Sequence, residues 1–253
     1  MNKNKTIHTK QSLIADLRKA AINPRGTLMV HSSVKSIGEC ENRGDTILDA
    51  FTDYMKDGLL IFPTHTWTTV GVKSNVYDPL TAESCVGVLT NLFCKRPNVL
   101  RSLHPTHSVA AIGSDAADFV SGEELTKSPC SKKGCYGKLY DRKAQILFIG
   151  CDLSKNTFIH CIEECHNIPN RLSKEPYDFL IKKDGGLLPC PQYRHDFGGG
   201  DVSRNYVRAE SMLTESGAAV MCKIGDADCI LCDAVKTADV IGECLVREPK
   251  FFD

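Results

Sequence analysis

His160 and Glu163, three residues apart, are the pair in this 253-residue chain best suited to acid–base chemistry. They stand in Asn156-Thr157-Phe158-Ile159-His160-Cys161-Ile162-Glu163, where a helix beginning near Asn156 or Thr157 puts both on one face. A carboxylate beside an imidazole orients the ring, fixes its tautomer and favours its protonated form. That is the support a general base needs. Taken alone, the pair also describes an ordinary solvated helix face, so the polar clusters elsewhere carry weight.

Three such clusters follow apolar runs or loop edges: His31-Ser32-Ser33, Thr64-His65-Thr66-Trp67, and Arg101-Ser102-Leu103-His104-Pro105-Thr106-His107-Ser108. In open α/β sheets ligands bind in the loops beyond strand ends. One chemistry has His160 deprotonate an incoming amine while Glu163 stabilises the imidazolium. Hydroxyls and backbone N–H groups near His31-Ser32-Ser33 then hold a developing oxyanion. The other makes His65, His104, His107 and His160 the metal ligands of a hydrolase. Pro105 disfavours a regular helix between His104 and His107, and no H-E-x-x-H, H-x-x-E-H or multi-aspartate pattern is present.

Positioning these residues requires strands that end beside one another. Residues 9–21 carry a helical apolar stripe stopped by Asn23-Pro24-Arg25-Gly26, and residues 27–31 read as a strand. Residues 45–55 form a second amphipathic helix, 59–63 a buried strand, 84–94 a helix and 108–112 a strand. Residues 146–150 give the apolar strand before the His160 segment. The expected fold is α/β: a single domain over residues 1–253, with a mixed central sheet flanked by helices. Residues 173–253 read as an antiparallel extension of the same unit, with a hairpin turning at Asp184-Gly185. Gly198-Gly199-Gly200 predicts a flexible loop. The polar stretches Tyr193-Arg194-His195-Asp196 and Asp201 to Tyr206 are expected to fold over the pocket and supply acceptor contacts.

The 31 basic and 31 acidic residues cancel, which gives no footprint for nucleic acid. No apolar run approaches a membrane span. The basic start Met1-Asn2-Lys3-Asn4-Lys5 is followed by no apolar region, so a cytoplasmic protein is expected. Thirteen cysteines are too many and odd in number for a secreted disulfide framework. Cys229-Ile230-Leu231-Cys232, with Cys222 upstream, lacks a second pair at zinc-ribbon spacing, and reduced thiols are expected throughout.

The ordered set of short motifs resembles the aminoglycoside 3-N-acetyltransferase-type (antibiotic N-acetyltransferase) family, whose fold is distinct from the GNAT acetyltransferases. The likeness rests on Val30-His31-Ser32-Ser33 with Ile37-Gly38, Phe62-Pro63-Thr64, Tyr77-Asp78-Pro79, the Arg101 to Ser108 loop, Ser128-Pro129 and the Asn156 to Glu163 stretch. The resemblance implies transfer of an acetyl group from acetyl-coenzyme A, as co-substrate and without a metal, to an amine of an aminoglycoside or related amino sugar. A biosynthetic amine is the alternative acceptor, and a non-catalytic coenzyme A-binding module the non-enzymatic one. By the same resemblance His160 is the catalytic base, Glu163 its support and His31 a second functional histidine. Ser32, Ser33, Arg101, Ser102, His104 and Ser108 would lie along the coenzyme A path. Partners are limited to small molecules, and a homodimer is left open. Cys161, about 100° round the helix from His160, is not expected to carry an acyl group.

Overall fold

The computed structural model describes residues 6–196 and 200–253. The basic start at residues 1–5 and most of the expected glycine loop, Gly198 and Gly199, lie outside the described residues. Strand β1 (Ile7–His8) leads into helix α1 (Lys10–Lys19), whose N-cap Thr9 exchanges hydrogen bonds with Ser12 in a capping box. The helix stops two residues short of the expected 21, because Ala20 caps it and Ala21 turns left-handed at φ 55°. Strand β2 (Thr27–Ser32) follows, then β3 (Glu39–Cys40), α2 (Gly44–Tyr54), β4 (Leu59–Pro63) and β5 (Val76–Tyr77).

Helix α3 covers only Val88–Cys94, against the expected 84–94. The Asn91 side chain accepts from Ser84 N at 2.8 Å and donates to Ser84 O at 2.9 Å, folding residues 84–87 back as a turn. Beyond it come β6 (Leu100–Arg101), β7 (Val109–Gly113), α4 (Ala116–Val120), α5 (Cys135–Asp141), β8 (Gln145–Ile149) and α6 (Thr157–Cys165). The hairpin strands β9 (Tyr177–Lys183) and β10 (Gly186–Gln192) are longer than the sequence suggested. Asp184 and Gly185, both at positive φ, make the two-residue turn. The chain continues through α7 (Glu210–Glu215), β11 (Ala219–Ile224), β12 (Ala227–Asp233) and α8 (Ala234–Arg247).

Seven strands form the central sheet in the order β11-β12-β8-β2-β4-β7-β6. Its middle is parallel, β8 and β4 flanking β2, while the outer pairs are antiparallel. The sheet is mixed and sandwiched by helices, as expected. Alternation along β2 sends Leu28 and Val30 to a core shared with α1, α2 and α3. Met29 faces the opposite core, lined by α4 to α8. His31 shares the Met29 side by the same alternation and stacks on Phe148 of β8, ring centroids 4.9 Å apart. Strand pairing thus turns His31 toward the layer that contains α6.

The antiparallel continuation divides in two. Strands β11 and β12 extend the central sheet, whereas β9 and β10 join β5 in a separate three-stranded sheet over a small core of Val70, Tyr77, Phe179, Ile181 and Cys190. All thirteen cysteines are free. No helix among the described residues is long and apolar enough to cross a membrane.

Candidate active site

The parallel strands β2, β4 and β8 end together, and their following loops enclose a cavity of about 580 Å³. Ser32 and Ser33 reach it from β2, Pro63 and His65 from β4, and the segment from Cys151 to Thr157 from β8. His160 enters from the first turn of α6, and Arg194, His195, Asp201 and Ser203 arrive from the polar stretch after β10. His31, His65, His107 and Trp67 complete the polar wall. Of the four sequence clusters, His31-Ser32-Ser33 reaches the cavity entire, the second through His65 and Trp67, and the His160 segment through Asn156, Thr157 and His160. The fourth, residues 101–108, contributes only Thr106 and His107.

His160 is held at Nδ1. The Tyr206 hydroxyl lies 2.5 Å from it and Glu163 Oε2 3.2 Å from it. Tyr206 also donates to Glu163 Oε2 at 2.5 Å, so the consistent assignment has Nδ1–H donate and leaves Nε2 the basic nitrogen. Arg171 closes the other side of Glu163, its Nε 2.6 Å from Oε1, and reaches Asp253 Oδ1 through Nη2 at 2.8 Å. Burial by itself would raise the Glu163 carboxyl, but hydrogen bonds from His160, Tyr206 and Arg171 hold it below the usual range. Glu163 is an anion with no exposed surface, matched to a ring that can gain a proton.

A second histidine backs the first. The rings of His160 and His195 are 4.1 Å apart, and His195 Nε2 lies 3.1 Å from Glu164 Oε1. Glu164 in turn accepts from Ser128 Oγ at 2.5 Å and Cys130 N at 3.0 Å. His107 stands 4.9 Å from His195 and 4.7 Å from His65, ring to ring, and His65 Nε2 meets the Tyr136 hydroxyl at 2.6 Å. Burial, with the neighbouring His160, pushes His195 down to about 4, and burial among histidines carries His65 and His107 well below their ordinary value. His31 is pushed down to about 3 by burial.

The residues expected along the coenzyme A path separate into two groups. Ser32 and Ser33 line the cavity. Arg101, Ser102, His104 and Ser108 stand behind its wall. Arg101 donates to Thr64 O at 2.7 Å and Ala82 O at 2.5 Å, and from Nε to the Thr64 and Ser108 hydroxyls. Ser102 Oγ donates to the buried Glu123, and His104 Nδ1 accepts from the Thr106 and His107 amides at 3.2 and 2.9 Å. These four brace the loop that presents Thr106 and His107. Polar residue type located them after a strand, but the direction of a side chain is set by pairing the sequence does not display.

Two residues carry features that sequence reading did not single out. Tyr206, 46 residues from His160, holds its Nδ1; the only signal was the unusual polarity of its segment. Asn156 caps α6 without bonding to it: both side-chain atoms are buried and unpartnered, and the residue lines the cavity. His31 Nε2 is likewise buried without a partner.

The alternative metal set does not assemble. Among the described residues His65, His104, His107 and His160 bring no three ligand atoms together; the convergent trio is Cys130, Glu164 and His195, within 4.8 Å. Its carboxylate is already saturated by Ser128, the Cys130 amide and His195. Cys161 lies in a separate groove beside α8, as its helical angle predicted.

Residues 29–245 match the family model described as aminoglycoside 3-N-acetyltransferase. The chain is 26% identical over 249 residues to aminoglycoside N(3)-acetyltransferase IV of Salmonella sp, covering 96% of this chain and 89% of that protein. Among solved structures, a mutant of aminoglycoside acetyltransferase AAC(3)-IVa in complex with apramycin is similar at TM-score 0.81 and 24% identity, over 98% of this chain and 96% of that one. AAC-IIIb, solved as a binary complex with CoASH, is similar at TM-score 0.84 and 22% identity, over 96% and 97% of the two chains. The structural likenesses establish a shared fold.

Proposed function

The chain belongs to the aminoglycoside 3-N-acetyltransferase family, and on that footing we propose that it acetylates an amine of an aminoglycoside or related amino sugar, with His160 as general base. Acetyl-coenzyme A is the co-substrate. The observation that carries the reading is the His160 arrangement: a ring at the cavity wall, fixed at Nδ1 by Tyr206 and by a buried carboxylate. Nε2 then takes the proton from the substrate ammonium, and Glu163 stabilises the imidazolium that forms. Deprotonating the nucleophile is the demanding step, because a thiolate with pKa of about 8.5 is a tolerable leaving group. The freed amine attacks the thioester directly in a ternary complex, the proton held by His160 passes to the departing thiolate, and the second proton on the acylated nitrogen leaves through the freed imidazole to solvent.

Ser32, Ser33 and Lys155 fit a phosphate-bearing co-substrate, since their hydroxyls and ammonium line the same cavity as His160. Arg194 and Asp201, from the segment after β10, are placed to contact the acceptor. A polycationic acceptor calls for carboxylates. Asp201 is one, and the cation Arg194 in the same lining favours an acceptor that also presents oxygen acceptors, as amino sugars do. Thiol release from acetyl-coenzyme A against a panel of aminoglycosides and simpler amines, with His160→Ala as control, tests the reading. Turnover on an aminoglycoside that disappears in the variant supports it. Turnover only on another amine transfers the chemistry to the biosynthetic alternative, and turnover unaffected by His160→Ala removes the base.

A further inference from the structure

The carboxamide of Asn156 is the polar group in this molecule with the least reason to be where it is. The residue has no exposed surface, and neither Oδ1 nor Nδ2 has a hydrogen-bond partner. An unsatisfied buried polar group costs roughly 1–3 kcal/mol, so two such atoms are retained only where something else uses them. An asparagine at a helix N-cap ordinarily accepts from the second or third helical amide. Asn156 makes no such bond, and its main chain is fixed instead by Asn156 N donating to Leu153 O at 2.9 Å. The side chain is thereby released from capping at the end of a nine-residue helix whose first N–H groups have no acceptor within the helix.

The position matches a specific need. Asn156 lies four residues before His160, one helical turn away on the same face, and both line the cavity. A base on that face deprotonates the amine that attacks the thioester carbonyl carbon. As the C–N bond forms, the carbonyl π electrons pass to oxygen, and a donor is required beside that oxygen. Collapse restores C=O, breaks C–S and expels the thiolate, which takes the proton from His160; the freed imidazole then removes the second proton from the acylated nitrogen and releases it to solvent, leaving the neutral amide. Arg101 and Ser108 are committed to internal bonds, and Ser33 Oγ already accepts from Ser36 Oγ at 3.1 Å. His31 Nε2 is likewise buried without a partner in the lining of the same cavity.

We propose that Asn156 is a catalytic residue, its Nδ2–H groups donating to the thioester oxygen as negative charge develops there, backed by the positive end of α6. This rests on the acetyl-transfer reading above and adds to it a residue and a role. The oxyanion support expected around His31-Ser32-Ser33 is thereby moved from the end of β2 to the start of α6.

The test uses Asn156→Ala and Asn156→Asp, the second keeping the shape and the carbonyl acceptor while losing the donor. Both are expected to lower kcat by roughly 10²–10³-fold, with the dissociation constant for coenzyme A, by calorimetry, changed less than about threefold. Asn156→Ala should unfold no earlier than wild type, because it deletes unpaired buried atoms; if it does unfold early, the aspartate variant carries the comparison. Isotope-edited infrared spectra of bound acetyl-coenzyme A without acceptor give a readout independent of turnover. The thioester carbonyl stretch should shift down on binding to wild type and return toward its free value in both variants. Unchanged kcat, an Asn156→Asp enzyme that retains activity, or a carbonyl stretch indifferent to the substitution would each overturn the role. Binding of acetyl-coenzyme A with no turnover on any amine would count against the acceptor reading, while the carbonyl shift would still decide Asn156.

Discussion

Arg171 and Glu163 form an ion pair at 2.6 Å in which neither side chain is more than 4% exposed. Desolvating both charges is costly, and a buried pair of this kind is weak evidence for stability as such. Its place is beside His160: it supplies a carboxylate that stays ionised without solvent, with one oxygen for Arg171 and the other for Tyr206 and His160.

Arg171→Ala is expected to destabilise the fold by about 3–5 kcal/mol, because it strands the Glu163 charge. Arg171→Ala combined with Glu163→Gln should recover part of that loss while remaining slow. Urea denaturation of the single and double variants checks the first expectation, and turnover checks the second.

Tyr206→Phe removes one hydroxyl shared by His160 Nδ1 and Glu163 Oε2. Such a bond contributes roughly 1–1.5 kcal/mol, which converts to a fall in kcat of about tenfold. The KM for acetyl-coenzyme A should stay constant, as Tyr206 orients the base and does not line the cavity. A KM change without a kcat change would assign the hydroxyl to binding.

Acid should unfold this protein through its buried histidines. His31 is pushed down to about 3, His104 and His195 to about 4, each chiefly by burial. In the unfolded chain they titrate near 6.5, so between pH 6.5 and 4 the unfolded state binds protons the native state refuses. Stability therefore falls as pH falls, by about 1.4 kcal/mol per pH unit for each fully protonated unfolded histidine. Buried Glu123, raised to about 7, contributes in the opposite sense: its share is full below about 4.5 and lost as pH rises toward 7. Three histidines outnumber it. The melting temperature should drop from pH 6.5 to pH 4.5, and His104→Gln should flatten the slope.

Cys161→Ala should retain turnover within about threefold, since direct transfer uses no thiol and truncating one buried sulfur costs only packing. Hydrogen bonding from Cys165, then burial, holds its thiol well above the ordinary range, where it is a poor nucleophile. An acylated peptide containing Cys161, found by mass spectrometry after mixing with acetyl-coenzyme A alone, would contradict direct transfer.

The sequence displayed the parts of the site that depend on local periodicity. His160 and Glu163 were visible because a helix makes residues three apart neighbours, and His31 because it ends an apolar strand. The α/β layering was legible for the same reason. Tyr206 and Arg171 were not, since their contacts with the dyad depend on how α6 meets segments arriving later in the chain. The residues at 101–108 show the converse error. Arginine, serine and histidine after a strand suggest a ligand, yet Arg101 is consumed by carbonyls such as Ala82 O and Thr64 O, which the sequence cannot pair with it. Helix α3 was overextended because one side chain, Asn91, competes with the helix for the backbone of Ser84.

The stretch after β10 sends Arg194, His195, Asp201 and Ser203 to the cavity and, three residues past Ser203, Tyr206 to His160. Residues 201–206 thus carry both a cavity-lining carboxylate and the hydroxyl that holds His160. On the proposed reading, an acceptor gripped by Asp201 pulls on the short run that carries Tyr206, and a poorly seated amine then meets a poorly aimed imidazole. Discrimination among acceptors is then written into turnover as well as into affinity.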